Sequence, residues 1–538
     1  MVPTIGSQKT EIGNQKSEVG VQKTEVRSKL PFGIRESLEH KTFKSILLYG
    51  TNRKEIYLKT IDTALSYGLG AIFLVPEIKL TTDVFSLFQK KFGNLVALLH
   101  SGLKKDERWA EWLCIKEGIA SVVVGTMSAV FAPVHNLGVI IVDEEQDTSY
   151  KSGKHPRYST PVVAMMRAKI EKCLYIAGSN TPSIEAFYST EKNVVTNGIR
   201  PKNESSLVRI VSAKSDKKVS IVDMHKEANP VFSQLLISKL RSYISVNKKV
   251  LFFLNRRGFS SFILCEDCGY VPKCPHCDIS LTYHRSELIL KCHYCGYSER
   301  AIGYCPQCKG INLSYKGVGT ARVEKAFNKF FPGVKIFRLD LDTISSKYIT
   351  HILPSFARGE FQVILGTQLI VKPIELPKIG LVGIISADTG LNLPDFRAPE
   401  HTFSLLNRLI ERGEETVLQT HNPNHYIFKY LSSQGYLNFY KYEKSLREPH
   451  NYPPYSHLVR IVTEGSDEAR AMEKINKLTS ELNKLGVEFI GPSLCSTSHK
   501  KGKFGAHILL KVNDPLELKL EGLIPPGTTI DVDPLEFI

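Results

Sequence analysis

The sequence predicts an α/β protein whose parallel-sheet layers are interrupted by a cysteine-rich, metal-binding insertion. From Lys44 onward, short apolar strands alternate with amphipathic helices, the pattern of a parallel sheet with helices packed on its faces. Between Cys265 and Cys308, eight of the 11 cysteines form four Cys-x-x-Cys pairs. The chain has 538 residues and is 42% hydrophobic, enough to build several separate cores.

Three seven-residue units open the chain, Ile5 to Glu11, Ile12 to Glu18 and Val19 to Glu25. Each carries a glycine and few apolar residues, so the heptad period does not predict a coiled coil. Residues 1–40 are expected to be a solvated, mostly disordered tail.

The strands of the first layer follow in order: Ser45 to Tyr49, Ala71 to Val75, Leu95 to Leu99, Ser121 to Val124, Val139 to Val142 and Leu174 to Ala177. Each ends in a polar or glycine-bearing loop. Ligands of such sheets bind outside the carboxyl ends of the strands, so function is sought in those loops. One of them carries the acidic pair Asp143 and Glu144 at the end of an apolar strand.

In the insertion the pairs are Cys265/Cys268, Cys274/Cys277, Cys292/Cys295 and Cys305/Cys308. A Cys-x-x-Cys turn presents two thiolates on one edge of a tight loop, and two such turns complete the tetrahedral sulfur shell that Zn²⁺ prefers. Four turns predict two structural zinc ions. Disulfides or a redox dithiol would use the same residues, and an iron-sulfur cluster would use the same ligands, but clustered pairs without a secretion signal favour zinc. The remaining cysteines, Cys114, Cys173 and Cys495, are expected to be buried or inert thiols.

Charge narrows the function class. The chain has 70 Lys+Arg against 54 Asp+Glu, a formal net charge of +16, which suits a polyanion such as nucleic acid. No apolar run approaches the ~20 residues of a membrane span, so no membrane partner and a cytoplasmic location are expected.

Around the cysteines the chain reads Leu254-Asn255-Arg256-Arg257-Gly258-Phe259, Cys265-Glu266-Asp267-Cys268-Gly269-Tyr270 and Cys292-His293-Tyr294-Cys295-Gly296. This resembles the zinc-binding insertion of the PriA family, replication-restart proteins of helicase superfamily 2. Loops of the first layer match the same family in order: Val75-Pro76-Glu77, His100-Ser101-Gly102, Gly125-Thr126-Met127, Asp143-Glu144-Glu145-Gln146 and Ser179-Asn180-Thr181-Pro182. So do Ala387 to Ala398 and, towards the end, Tyr452-Pro453-Pro454-Tyr455 and Asp531-Val532-Asp533-Pro534. The resemblance covers about residues 41 to 538.

What the resemblance implies is specific. It implies two RecA-like lobes, at 41–215 and at 216–262 with 311–429. A zinc insertion at 263–310 and a small C-terminal α/β domain at 430–538 complete the chain. One zinc would sit on Cys265, Cys268, Cys305 and Cys308, with the second nested on Cys274, Cys277, Cys292 and Cys295. Asp143 and Glu144 would hold Mg²⁺ and polarise the attacking water. Tyr150, Lys151, Arg157 and Tyr158 match an aromatic-rich loop that senses single-stranded DNA, by stacking on bases and attracting phosphates. Lys500, Lys501, Lys503 and Phe504 offer a further DNA contact. The residues before Lys41 are too few and too polar for the family's 3′-end-binding domain and winged helix.

The departures matter as much. A phosphate loop needs G-x-x-x-x-G-K-[ST], whose amides wrap the phosphates and whose Lys neutralises them. Here the first strand is followed by Gly50-Thr51-Asn52-Arg53-Lys54-Glu55, with no second glycine and no Lys-Ser/Thr pair. Gly50 and Lys54 are its only remnants. Pro373, Ile374 and Glu375 replace the glycine and the His-Asp pair that follow Gly366-Thr367-Gln368 in the family. The arginine-finger segment is reduced to Leu406 to Glu414, and neither Arg408 nor Arg412 is expected to reach the cleft. ATP and Mg²⁺ are therefore not expected as cofactors. The resulting expectation is a replication-restart protein without ATPase or helicase activity. Its partners would be forked or single-stranded DNA, other primosome or helicase-loading proteins, and single-stranded DNA-binding protein. The alternatives are an active ATP-dependent 3′-to-5′ helicase with an unusual nucleotide site, and a zinc-ribbon interaction scaffold.

Overall fold

The computed structural model describes residues 22–24, 30–31, 33–76, 82–192, 205–210, 217–255, 262–285, 287–315, 320–339, 352, 354–367, 370, 376–431, 435–495, 503–518, 520 and 522–535. Pro373, Ile374, Glu375, Lys500, Lys501 and most of the heptad repeats lie outside these residues.

The first lobe is an eight-stranded parallel sheet. Its strands are β1 (Gln22–Thr24), β2 (Lys44–Tyr49), β3 (Gly70–Leu74), β4 (Val96–Leu99), β5 (Val122–Gly125), β6 (Leu137–Asp143), β7 (Leu174–Ser179) and β8 (Ser205–Ile210). The order is β1-β8-β2-β7-β6-β3-β5-β4. Every residue of β6 and β7 is buried, which explains why these strands read as unbroken apolar runs: helices cover both faces. Alternate residues separate onto the two faces. Ile46, Leu48, Phe73, Val139 and Ile141 pack under the helices Ile34–Glu39, Arg53–Ser66 and Thr82–Phe92, while Leu47, Ile72, Leu74, Ile140 and Val142 belong to the other core.

The N-terminal boundary requires a correction. Ile34 and Leu38 are fully buried in the first lobe, and Gln22–Thr24 pairs in parallel with Val208–Ile210 at the sheet edge. Part of the expected tail is therefore built into the lobe. The sequence concealed this because the apolar residues of Ile34–Glu39 span barely two turns.

The second lobe is a six-stranded parallel sheet made of β9 (Lys218–Asp223), β10 (Lys249–Phe253), β16 (Ile336–Leu339), β17 (Val363–Gly366), β18 (Ile379–Ile384) and β19 (Gly413–Thr420), in the order β16-β17-β10-β18-β19-β9. One of its faces (Leu251, Phe253, Ile364, Val382 and Ile384) joins the same apolar core as Leu47 and Val142 of the first lobe. Phe403 from the helix Ala398–Ile410, and Tyr436, Phe439 and Tyr440 from the helix Gly435–Arg447, fill the space between the lobes. Phe403 and Phe439 stack with centroids 4.0 Å apart.

Between β10 and β16 the insertion forms two small antiparallel sheets. β11 (Leu264–Cys265) pairs with β15 (Leu313–Ser314), and β12 (Thr282–His284), β13 (Ile289–Lys291) and β14 (Ser298–Arg300) form a meander. The C-terminal sheet has β20 (His457–Gly465), β21 (Phe489–Leu494), β22 (Phe504–Val512) and β23 (Thr529–Val532), ordered β21-β22-β20-β23, with the helix Glu468–Lys484 on one face. Ile279, Leu281, Leu290 and Tyr294 of the insertion share a core with Phe396 of the second lobe and Tyr452, Leu458 and Leu509 of the C-terminal part.

A buried ion network ties these parts together. Arg447 pairs with Glu400 at 2.6 Å and Glu443 at 3.0 Å, and Glu400 also accepts the backbone N–H of Ile184 in the first lobe at 3.0 Å. Arg397 reaches the Pro534 carbonyl at 3.3 Å and Glu185 at 3.4 Å. Each arginine has a carboxylate partner, the condition under which a buried charge is tolerated.

Candidate zinc centres and nucleotide cleft

The sulfur geometry decides between metal and disulfide. Sγ atoms of Cys265 and Cys308, of Cys268 and Cys305, and of Cys274 and Cys295 lie 3.6 Å apart. A disulfide requires about 2.05 Å. Tetrahedral zinc with Zn–S of about 2.3 Å separates its sulfurs by about 3.8 Å. In each group, Cys265/Cys268/Cys305/Cys308 and Cys274/Cys277/Cys292/Cys295, all four ligand atoms lie within 4.8 Å of one another. The two clusters fit two zinc ions in the interleaved pairing that the family resemblance implied. Backbone N–H groups of Tyr297 and Gly310 donate to Cys295 and Cys308 at 3.4 Å, the supporting bonds a thiolate shell requires. The inner centre is anchored to the C-terminal part: Tyr452 donates its hydroxyl to the Cys277 carbonyl at 3.0 Å and stacks on Phe396 at 4.5 Å.

The cleft lies at the carboxyl ends of β2, β7 and β6. Between Tyr49 and the helix starting at Arg53 stand only Gly50, Thr51 and Asn52. Gly50 has φ 129° and Asn52 φ 63°, a left-handed pair that turns the chain straight from strand into helix. The turn aims Arg53 back over the strand ends, while Lys54 is exposed. Arg53 is 7% exposed. Its guanidinium meets Asp143 at 3.1 Å and Glu144 at 2.6 Å, and also donates to the Gly50 carbonyl and to Asn180 Oδ1. Tyr57, one helical turn on, donates its hydroxyl to Asp143 at 3.0 Å and takes a bond from Arg53 at 3.1 Å. A side chain at Gly178 would strike that hydroxyl, so the glycine of β7 makes the arrangement possible.

Electrostatics follow from this packing. Burial alone lowers the Arg53 pKa, but Tyr57, Asp143 and Glu144 more than reverse it and hold the guanidinium charged. Burial, with Asp143 adding to it, pushes the Tyr57 hydroxyl well above its usual range. Glu144 sits at φ 54°, a conformation rare for a side-chain-bearing residue and fixed here by its ion pairs. Glu145 is buried, which raises its carboxyl to about 7 even though Ser183 donates both its N–H, at 2.7 Å, and its hydroxyl, at 3.0 Å.

The second lobe closes the cleft. Arg408 meets Glu144 at 3.0 Å and Asp147 at 3.4 Å, contrary to the expectation that neither Arg408 nor Arg412 would reach it. The helix Ala398–Ile410 crosses to the first lobe, and a shortened motif hides that placement in the sequence. Asn180 donates to both carboxylate oxygens of Glu411 at 3.0 and 2.9 Å, and Thr181 bonds Ser404 at 2.8 Å. Arg412, crowded by burial and by Arg408, is lowered to about 10.

The aromatic loop is also corrected. Tyr150 is 2% exposed and donates its hydroxyl to the Asp143 carbonyl at 2.8 Å, so it braces the acidic strand end and offers no face to a base. Lys151 and Arg157 each lie 3.0 Å from Asp531 of β23 and share its single negative charge. Tyr158 remains partly exposed, edge-on to Phe131 at 5.2 Å. Lys503 pairs with Glu464 at 3.1 Å. Sequence reading weighed Lys54 and passed over Arg53. The available signal was a long cation with Tyr57 four residues later on the first helix after β2.

Family comparison agrees with this architecture. The PriA DNA helicase Cys-rich region matches residues 274–300, the primosomal protein N C-terminal domain matches 448–535, and the DEAD/DEAH box helicase model matches 55–188. The chain is 35% identical over 471 residues to the replication restart protein PriA of Treponema pallidum, covering 86% of this chain and 70% of the relative. It belongs to the PriA family. The PriA of Bacillus subtilis is 38% identical over 90% of this chain, which spans 62% of that relative's length. Among solved structures, RecG bound to a three-way DNA junction superposes with TM-score 0.44 and 12% identity, over 79% of this chain and 48% of RecG. Among the described residues, no helix is long and apolar enough to cross a membrane.

Proposed function

We propose that this PriA-family chain is a replication-restart protein that binds stalled, branched or single-stranded DNA and helps reload the replication machinery without turning over ATP. Family membership and the +16 net charge support the DNA-binding part. One observation carries the rest: the Arg53 guanidinium lies between the carboxylates of Asp143 and Glu144, with Arg408 on the other side of Glu144. Carboxylates that would bind Mg²⁺ are thereby neutralised by the chain's own cations. The three-residue connection from Tyr49 to Arg53 is too short to wrap phosphates with its amides. The residues present do not fit ATP–Mg²⁺.

Lobe closure, which nucleotide would otherwise drive, is supplied by Arg408–Glu144 and Asn180–Glu411. The chain then acts as a pre-closed platform for DNA and for the proteins that deliver the replicative helicase, single-stranded DNA-binding protein among its neighbours on the fork. The test combines equilibrium ATP binding, DNA-stimulated hydrolysis and fork binding by fluorescence anisotropy. The expected result is fork binding with no nucleotide bound or hydrolysed. Saturable ATP binding lost on Glu144→Gln would restore the helicase reading, and absence of fork binding would favour a protein-interaction scaffold.

A further inference from the structure

The chain has two tryptophans, and both lie on one helix, Lys105–Lys116. They stack on each other with centroids 5.3 Å apart and planes 11° from parallel, and Trp109 is 60% exposed. An indole left this open is uncommon unless something covers it. Helix geometry sorts the remaining residues. At 100° per residue, Lys105, Trp109, Trp112 and Lys116 fall on one stripe with Arg108 at its margin, while Ile115, the helix's buried residue, lies about a quarter-turn from the centre of the stripe.

The acidic side chains of the helix are divided in the same way. Glu111 accepts the Leu98 backbone N–H at 3.0 Å and Glu107 accepts that of Lys104 at 2.9 Å, which holds both carboxylates off the stripe. The Lys116 ammonium lies over the Trp112 ring at 5.2 Å. The outer face thus alternates cations with flat aromatic rings. It begins just beyond His100, Ser101 and Gly102, the loop after β4, on the edge of the sheet where strand ends present their loops.

We propose that the Trp109–Trp112 stack is a stacking platform for unpaired bases of single-stranded DNA, with Lys105, Arg108 and Lys116 taking the phosphates. The proposal rests on the DNA-binding reading and assigns the stacking role to this helix, since Tyr150 is buried. Charge complementarity selects the occupant: a single strand offers a π-face and a negative charge at every nucleotide, matching the alternation on the helix. Duplex DNA hides its π-faces and gains only from the cations.

Because both tryptophans sit on this helix, intrinsic indole emission of the full chain reports the site directly. Titration with short oligothymidylate is expected to quench it saturably, and duplex of the same length to leave it nearly unchanged. Trp109→Ala is expected to weaken oligothymidylate binding, followed by anisotropy of a labelled strand, roughly 5- to 100-fold, with duplex affinity retained and Trp109→Phe recovering most of the loss. Unchanged emission at saturating single strand, with fork binding intact, would overturn the platform and leave the proposed function standing. No binding to any DNA probe would overturn both.

Discussion

Arg53 and Glu144 lie 2.6 Å apart at the mouth of the cleft, one from the first residue of a helix and the other from a strand end 91 residues later. Removing the cation would leave Asp143 without its guanidinium partner in a buried site. Arg53→Ala is therefore expected to lower unfolding stability by about 3–5 kcal/mol and to confer no ATPase. Denaturant melts and a phosphate-release assay on the same preparation check both parts. A variant that binds ATP with undiminished stability would show that Arg53 only screens a working site.

Metal analysis of the purified chain is expected to return two zinc ions. Cys274→Ser opens the inner shell and should leave one ion bound. It should also loosen the contact of Tyr452 with the Cys277 carbonyl, because the binding energy of a structural zinc is folding energy. Proteolysis confined to the insertion would register that change. Iron in the preparation, or both ions surviving the substitution, would refute the assignment.

Glu145 predicts a pH dependence. An unfolded carboxyl ionises near its ordinary pKa of ~4.3, whereas the buried one does so at about 7. Between those values the unfolded chain releases a proton that the folded chain keeps, so stability falls as pH rises across the window and levels off above it. The drop is on the order of 3–4 kcal/mol. Glu145→Gln keeps an acceptor for the Ser183 N–H and should flatten the profile of thermal midpoint against pH between 4.5 and 7.

Tyr150→Phe removes the hydroxyl that supports the Asp143 carbonyl. The expected cost is about 1 kcal/mol of stability, with affinity for single-stranded DNA unchanged per folded molecule. A large fall in affinity without loss of stability would return Tyr150 to the DNA-contacting surface.

Asp531→Asn releases Lys151 and Arg157 from their shared carboxylate. Fork affinity at low salt should rise, and the dependence of log K on log salt should steepen by about 0.7 for each additional phosphate contact. An anisotropy series across salt concentrations measures the slope. An unchanged slope would mean that the two cations stay turned away from DNA.

Much of this was legible from short-range pattern. Unbroken apolar runs located β2 to β7, since strands buried on both faces need no alternation. The spacing of the cysteines located both zinc centres, since a Cys-x-x-Cys turn is a local structure. The contacts across the chain were not legible. Arg408 meets Glu144 over 264 residues, and Lys151 meets Asp531 over 380, through helices and strands whose placement depends on how two sheets pack. Tyr150 misled at short range, since the carbonyl it turns back to is only seven residues earlier. An aromatic beside a lysine reads as a surface stacker, but its burial is decided by where the Asp143 carbonyl ends up.

The buried Arg447, Glu400 and Arg397 network bears on how the molecule can be dissected. Arg447 comes from the helix Gly435–Arg447, Glu400 and Arg397 from the second lobe, Glu185 from the first, and the Pro534 carbonyl from the last strand's exit. Separating the second lobe from the helix Gly435–Arg447 would part Arg447 from Glu400, an ion pair that is almost fully buried in the whole chain. A fragment of the second lobe that ends before this helix would therefore report in part on the missing counter-charge of Glu400.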